Sequence, residues 1–121
     1  MLKPSLWIFP LLLASAGTAS ADGDDAHGRV LFGRCVACHS IDAGKNLSGP
    51  SLHDIVGRKA GTVAGYRYSK AMAAAGLTWD RTTLDRFLAA PTKMVPGTKM
   101  RASVPNEMDR ADIIAYLSAV P

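Results

Sequence analysis

The sequence predicts an all-α domain, and three observations carry that expectation. No segment beyond residue 21 shows the sustained apolar/polar alternation of a half-buried strand. Apolar residues recur at helical spacing instead, most plainly Ile113, Tyr116, Leu117 and Val120 at i, i+3, i+4 and i+7. Cap and stop residues bracket several such stretches, separated by long loops rich in glycine and proline.

Taken in chain order, Asp24 or Asp25 caps a first helix in which Val30, Leu31 and Phe32 form an apolar face that runs into Cys35. Gly28 lowers the helix propensity of that segment, which points to another helix approaching closely there. Ser69 to Ala75 reads as a short alanine-rich helix stopped by Gly76. Thr82 or Thr83 opens the next, carrying Leu84, Phe87 and Leu88 as far as Pro91. Asn106 caps the last helix, with Asp109 three residues on, near its positive end.

The chain has 121 residues, 48% of them apolar, and 14 Lys and Arg against 10 Asp and Glu. That size allows one small domain, and the ordinary apolar fraction with a net charge of +4 excludes a charge-driven disordered chain. Two cysteines exclude a disulfide-dense miniprotein. At the N-terminus, Lys3 precedes an apolar run from Leu6 to Leu13 broken by Pro10, and Ala19-Ser20-Ala21 supplies small residues for cleavage. Residues 1–21 are therefore expected to be a signal peptide and residues 22–121 a single exported domain. The run is well short of the roughly 20 apolar residues a spanning helix needs, so no membrane span is expected after cleavage.

Cys35-Val36-Ala37-Cys38-His39 carries the chemistry. Two thiols separated by two residues can add to the two vinyl groups along one edge of a haem, and the histidine that follows is placed to ligate the iron from one face. A thioredoxin-like redox pair would need a βαβ pattern, which is absent. A closed zinc site needs four ligands, and only His27 and His53 remain as further donors. A disulfide closing so short a loop would contribute little. A domain of about 100 residues buries only about 60 to 70% of its unfolded surface, so a cofactor filling its core has a physical rationale. The loops at 42–65 and 91–105 exceed the roughly 12 to 15 residues beyond which structureless connections are uncommon, and wrapping a haem accounts for them. Met94, Met100 and Met108 are all open as a second, thioether ligand delivered near a loop; Met100 follows the turn signal Pro96-Gly97-Thr98-Lys99.

The ordered set Gly28 to Phe32, Cys35 to His39, Gly49-Pro50-Ser51-Leu52, Val56-Gly57-Arg58-Lys59, Gly76-Leu77-Thr78-Trp79, Pro96 to Met100 and Arg110 to Leu117 resembles class I, mitochondrial-type cytochrome c across nearly all of residues 22–121. The resemblance implies three to five helices wrapped around one haem c bound through Cys35 and Cys38. It implies His39 and Met100 as axial iron ligands and the Pro50 carbonyl as acceptor for the second ring N–H of His39. Arg58, Tyr68 and Trp79 resemble the positions that hydrogen-bond the haem propionates, and Gly28 and Tyr116 the crossing of the first and last helices. Three positions depart from the pattern: Phe87 replaces a common tyrosine beside the methionine, Ala102 an aromatic, and Met72 a common asparagine.

An iron with both axial positions filled by His and Met leaves no vacancy for oxygen or peroxide, and that ligand pair suits electron transfer. The expected role is accordingly a soluble periplasmic one-electron carrier, not an enzyme, acting as a monomer. Its partners would be a quinol:cytochrome c oxidoreductase, cytochrome c oxidase, a reaction centre or a periplasmic dehydrogenase. A peroxidase would need an open iron position. Arg34, Lys45, Arg67, Lys93, Lys99 and Arg101 fall in segments expected to border the haem mouth, whereas Asp22, Asp24 and Asp25 cluster at the other end, an asymmetry that suits acidic docking sites and not nucleic acid.

Overall fold

The computed structural model describes residues 2–11 and 23–120. The cleavage pattern at Ala19 to Ala21 and Asp22 lie outside the described residues, and no helix among those described is long and apolar enough to cross a membrane.

Five helices follow one another: α1 (Asp25–Leu31), α2 (Lys70–Ala73), α3 (Arg81–Ala89), α4 (Pro91–Met94) and α5 (Glu107–Ala119). A 3-10 turn over Phe32–Arg34 continues α1 toward Cys35, so the first helix tightens before it reaches the motif. Asp24 caps α1, accepting from the backbone N–H of Ala26 and His27. Ser69 caps α2 and Asn106 caps α5 through the N–H of Met72 and Asp109. For α3 the cap is Asp80, two residues earlier than the threonines suggest. Thr83 is the third helical residue of a capping box, its N–H donating to Asp80 and its hydroxyl accepting from the Asp80 N–H. Each such cap contributes about 1 kcal/mol, which matters most for the one-turn α2. Pro91 occupies the first turn of α4, where its missing N–H costs nothing.

The frame is set where α1 crosses α5. A Cβ on Gly28 would lie 1.9 Å from the Asp112 carbonyl oxygen and 2.9 Å from the Tyr116 Cβ, so only glycine lets the two backbones approach this closely. Phe32 stacks against Tyr116 at 5.4 Å beside the crossing. Ile113, Ile114 and Leu117 of α5 are buried, while Tyr116 and Val120 are half-buried. The buried face is therefore centred one residue from the i, i+3, i+4, i+7 stripe, because α5 packs against α3 as well as α1. Arg110 makes the second join, its Nε donating to Asp85 of α3 at 2.7 Å and its Nη1 to the carbonyls of Val104 and Pro105.

The ends of α1 and α5 are also tied by charge. Asp112 accepts from the Asp24 N–H and from His27 Nδ1, both at 2.7 Å. The bond to Asp112 holds the His27 pKa above its ordinary value, and the bonds from Asp24 and His27 hold the Asp112 carboxyl below its own. Leu84, Phe87 and Leu88 of α3 complete the core with Met72, Trp79 and Val95. No element longer than an isolated bridge between Lys59 and Thr78 pairs strand-like among the described residues.

Gly28→Ala is expected to destabilise the domain by about 3 kcal/mol, the upper end of overpacking costs, while Gly33→Ala, with no atom within 4 Å of its Cβ position, changes little; denaturant unfolding of both compares them. The His27–Asp112 pair has a window set by its two shifts. The His27 contribution is present below the ordinary histidine value of 6.5 and is lost as pH rises through its raised folded value. The Asp112 contribution is present above 3.8 and is lost as pH falls through its depressed one. The stability difference between the wild-type protein and His27→Ala is thus expected to be greatest between 3.8 and 6.5 and to shrink as pH rises through the raised His27 value.

Candidate functional site

The Cys35 to His39 segment leaves the 3-10 turn as a tight backbone loop. The Cys38 and His39 N–H groups both donate to the Cys35 carbonyl, at 3.1 and 2.9 Å. Both cysteines are free thiols, Cys35 half-buried and Cys38 exposed, so no disulfide consumes the pair. Burial raises the Cys35 pKa.

His39 is the best-positioned side chain of the site. Its Nδ1 lies 2.8 Å from the Pro50 carbonyl, an acceptor only, so Nδ1 carries the proton and the lone pair of Nε2 is left for a metal. Burial lowers the His39 pKa and keeps the ring neutral, the state a ligand requires. Gly49 makes the seat: a Cβ there would lie 2.4 Å from Cε1 of the ring. Its N–H donates to the Cys38 carbonyl at 2.7 Å, locking the Gly49-Pro50 segment to the motif.

Two of the expected polar residues, Arg58 and Trp79, face each other across a short paired segment. The Trp79 N–H donates to the Arg58 carbonyl at 2.8 Å and the Ala60 N–H to that of Leu77 at 2.8 Å, so the chains around residues 58 and 79 run side by side. Arg58 is half-buried, and burial lowers its pKa. It donates from Nη1 to the Ser51 carbonyl at 2.7 Å and from Nη2 to the His53 carbonyl, which leaves further N–H groups of the guanidinium to donate elsewhere. The Tyr68 hydroxyl accepts from the Val63 N–H at 3.0 Å, which leaves its own proton free to donate. Trp79 is buried, with its ring 5.0 Å from that of Phe87.

The methionines separate by position. Met108 is 74% exposed on the first turn of α5 and Met72 is buried in α2, while Met94 and Met100 are half-buried against the core. Met100 follows a type II turn over Val95 to Thr98, with Gly97 at φ +94° and the Thr98 N–H bonded to the Val95 carbonyl at 3.0 Å. Ala102 is exposed, so no bulky group stands there.

The donor set fits a covalently attached haem: two free thiols, a neutral imidazole with Nε2 available, a half-buried thioether on a fixed turn, and Arg58 and Tyr68 with donors to spare for anionic groups. The zinc alternative has no support, because no group of three His, Cys, Asp or Glu side chains among the described residues could hold a metal ion. Sequence reasoning quoted Gly49, Ser51 and Thr98 only as parts of motifs. The structure gives each a place: Gly49 beneath the ring, Ser51 2% exposed with its hydroxyl donating to the Asp42 carbonyl, and Thr98 buried with its Oγ1 3.4 Å from the Met100 N. The absence of a Cβ beside a histidine eleven residues from its carbonyl partner is the only sequence signal for the first, and the others have none.

The family model described as Cytochrome c matches residues 26–121. Cytochrome c2 iso-2 of Magnetospirillum fulvum is 52% identical over 90 residues, covering 74% of this chain and 94% of that protein. Cytochrome c2 of Rhodoblastus acidophilus is 50% identical over 98 residues, covering 79% and 92%. Among solved structures, cytochrome cH from Methylobacterium extorquens superposes with a TM-score of 0.75 at 46% identity, over 79% of this chain and 98% of that one.

Gly49→Ala is expected to tilt the His39 ring and so to weaken any bond that its Nε2 makes to iron. Ferrous Gly49→Ala protein should then take up carbon monoxide faster than the wild-type protein in stopped-flow spectra.

Proposed function

The chain belongs to the cytochrome c family, and on that premise we propose that it is a soluble periplasmic one-electron carrier whose iron is held between His39 and Met100. Family membership makes covalently bound haem c its cofactor and electron transfer, not enzymatic turnover, its activity. When bound, that group supplies an iron that changes valence by one electron.

The chain's own residues do the rest. Cys35 and Cys38 would hold the group covalently, so it cannot dissociate on loss or gain of charge. The Pro50 carbonyl and Gly49 hold the His39 ring in one tautomer and orientation, which limits rearrangement at that ligand. Trp79, Phe87, Leu88 and Met72 form a buried apolar wall that excludes water and so keeps solvent reorganisation small. Arg58, Tyr68 and Trp79 would donate to the propionates, whose burial is costly unless they are paired. With His39 and Met100 both holding the iron, no position would be left for a substrate, which separates a carrier from a peroxidase. The single observation that carries this reading is the 2.8 Å contact of His39 Nδ1 with the Pro50 carbonyl, since it presents Nε2 and nothing else to a metal.

Residues 1–21 act as the export signal in this reading, leaving residues 22–121 as the working domain. Its redox partners present acidic docking sites, as would a quinol:cytochrome c oxidoreductase, cytochrome c oxidase, a reaction centre or a periplasmic dehydrogenase. Arg34, Lys45, Arg67, Lys93, Lys99 and Arg101 are all exposed, as a steering surface requires.

Haem staining of denatured protein is expected to be positive and to vanish in Cys35→Ala/Cys38→Ala. The ferric protein should show a thioether charge-transfer band that Met100→Ala lacks, and prompt carbon monoxide capture by the ferrous wild-type protein at neutral pH would sink the carrier reading. Electron transfer to a purified terminal oxidase should slow as ionic strength rises; indifference to salt would remove the docking face.

A further inference from the structure

We propose that Lys99 is a positioning residue for Met100, closing a clasp of side chains that ties the segment bearing one axial ligand to the segment bearing the other. The inference rests on the reading of His39 and Met100 as those ligands.

Met100 sits in a stretch with few backbone restraints of its own. Thr98 is held by its turn bond to Val95, and the next backbone anchor is the Val104 N–H, which donates to the Leu88 carbonyl at 2.8 Å. Between them, residues 99–103 form no backbone–backbone hydrogen bond among the described residues, and none lies in a helix. The Met100 N–H reaches only the Thr98 hydroxyl oxygen, at 3.4 Å. A thioether on such a segment is free to swing away from a metal unless something outside the segment restrains it.

Lys99 supplies that restraint. Its Nζ donates to the carbonyl of Arg67, 32 residues away in sequence, and lies 5.4 Å from the centre of the Tyr66 ring. An ammonium bonded to a carbonyl is a charge-assisted bond, and the ring face adds a cation–π attraction. The loop it grips is itself anchored. The Tyr66 hydroxyl donates to the Ser48 carbonyl at 2.8 Å, and Asn46 Nδ2 donates to the Ala64 carbonyl at 3.0 Å. Ser48 is followed by Gly49 and Pro50, which seat the His39 ring. The clasp therefore runs from Pro50 through Ser48, Tyr66 and Lys99 to Met100, joining two parts of the long loop that precedes α2 to the loop that follows α4.

The test is equilibrium binding of free imidazole to the ferric holoprotein at neutral pH, read as loss of the thioether charge-transfer band. The neutral form of imidazole, well populated at neutral pH, competes directly with a loosened thioether. Lys99→Ala is expected to bind it about tenfold more tightly than the wild-type protein, the size of effect expected for losing one charge-assisted bond at an exposed site. Lys99→Arg, whose guanidinium can still reach the Arg67 carbonyl and stack on Tyr66, should stay within about twofold of wild type by the same measure. Tyr66→Leu should weaken the clasp in the same direction as Lys99→Ala. Lys70→Ala, which removes an equal charge from α2, reports any general effect of surface charge, and an equal shift there would overturn the proposal. So would wild-type affinity in Lys99→Ala while Met100→Ala lacks the band. Persistence of the band in Met100→Ala would instead overturn the ligand assignment on which the clasp depends.

Discussion

The close crossing of α1 and α5 at Gly28 is the constraint from which the rest of the molecule hangs. Nearly all the loop structure lies between these two helices in sequence, so joining the two ends of the chain sets the frame inside which the loops must fit. The approach is possible because one residue has no side chain, and it is reinforced by Phe32 against Tyr116 and by Asp112 bonded to both Asp24 and His27. Cys35 follows α1 by one 3-10 turn, so the position of the crossing is passed directly to the attachment motif.

With that frame in place, most of the remaining chain is organised by polar contacts between loops, not by regular structure. Arg58 bonded to the carbonyls of Ser51 and His53, Asn46 bonded to the Ala64 carbonyl, and Tyr66 bonded to the Ser48 carbonyl bring distant segments together. Buried backbone groups must be satisfied somewhere. In a domain with so little helix outside α1, α3 and α5, side chains take that role, and this is why Ser51 and Thr98 are buried while Asn46, Arg58 and Tyr66 are half-buried. The same economy suits a one-electron carrier, because a loop tied at several points moves little when the charge at its centre changes.

Much of this was legible locally. The caps at Asp24 and Asn106, the apolar face of α3 and the Cys35 to His39 motif depend on residues within a few positions of one another, where propensity and capping chemistry act directly, whereas α2 is shorter at both ends than the stretch from Ser69 to Ala75 suggests. Gly28 was readable as a close approach because a helical glycine is costly without a reason. The α3 cap was placed too late because both threonines can cap, and only the reciprocal bonds of Asp80 and Thr83 show which residue starts the helix. The buried face of α5 was off by one residue because its periodicity describes one stripe, whereas two helices pack on it.

Spacing and side-chain chemistry thus specified the three longer helices and the Cys35 to His39 motif, since each rests on neighbours along the chain, whereas α4 forms inside a stretch that reads as a loop. Three-dimensional packing alone put Met108 in solvent and left both Met94 and Met100 half-buried against the core. It also set Gly49 beneath the His39 ring, and brought Lys99 to Tyr66 and the Arg67 carbonyl. Those outcomes depend on contacts between residues ten to dozens of positions apart, and such contacts leave no periodic or capping signature from which they could be read.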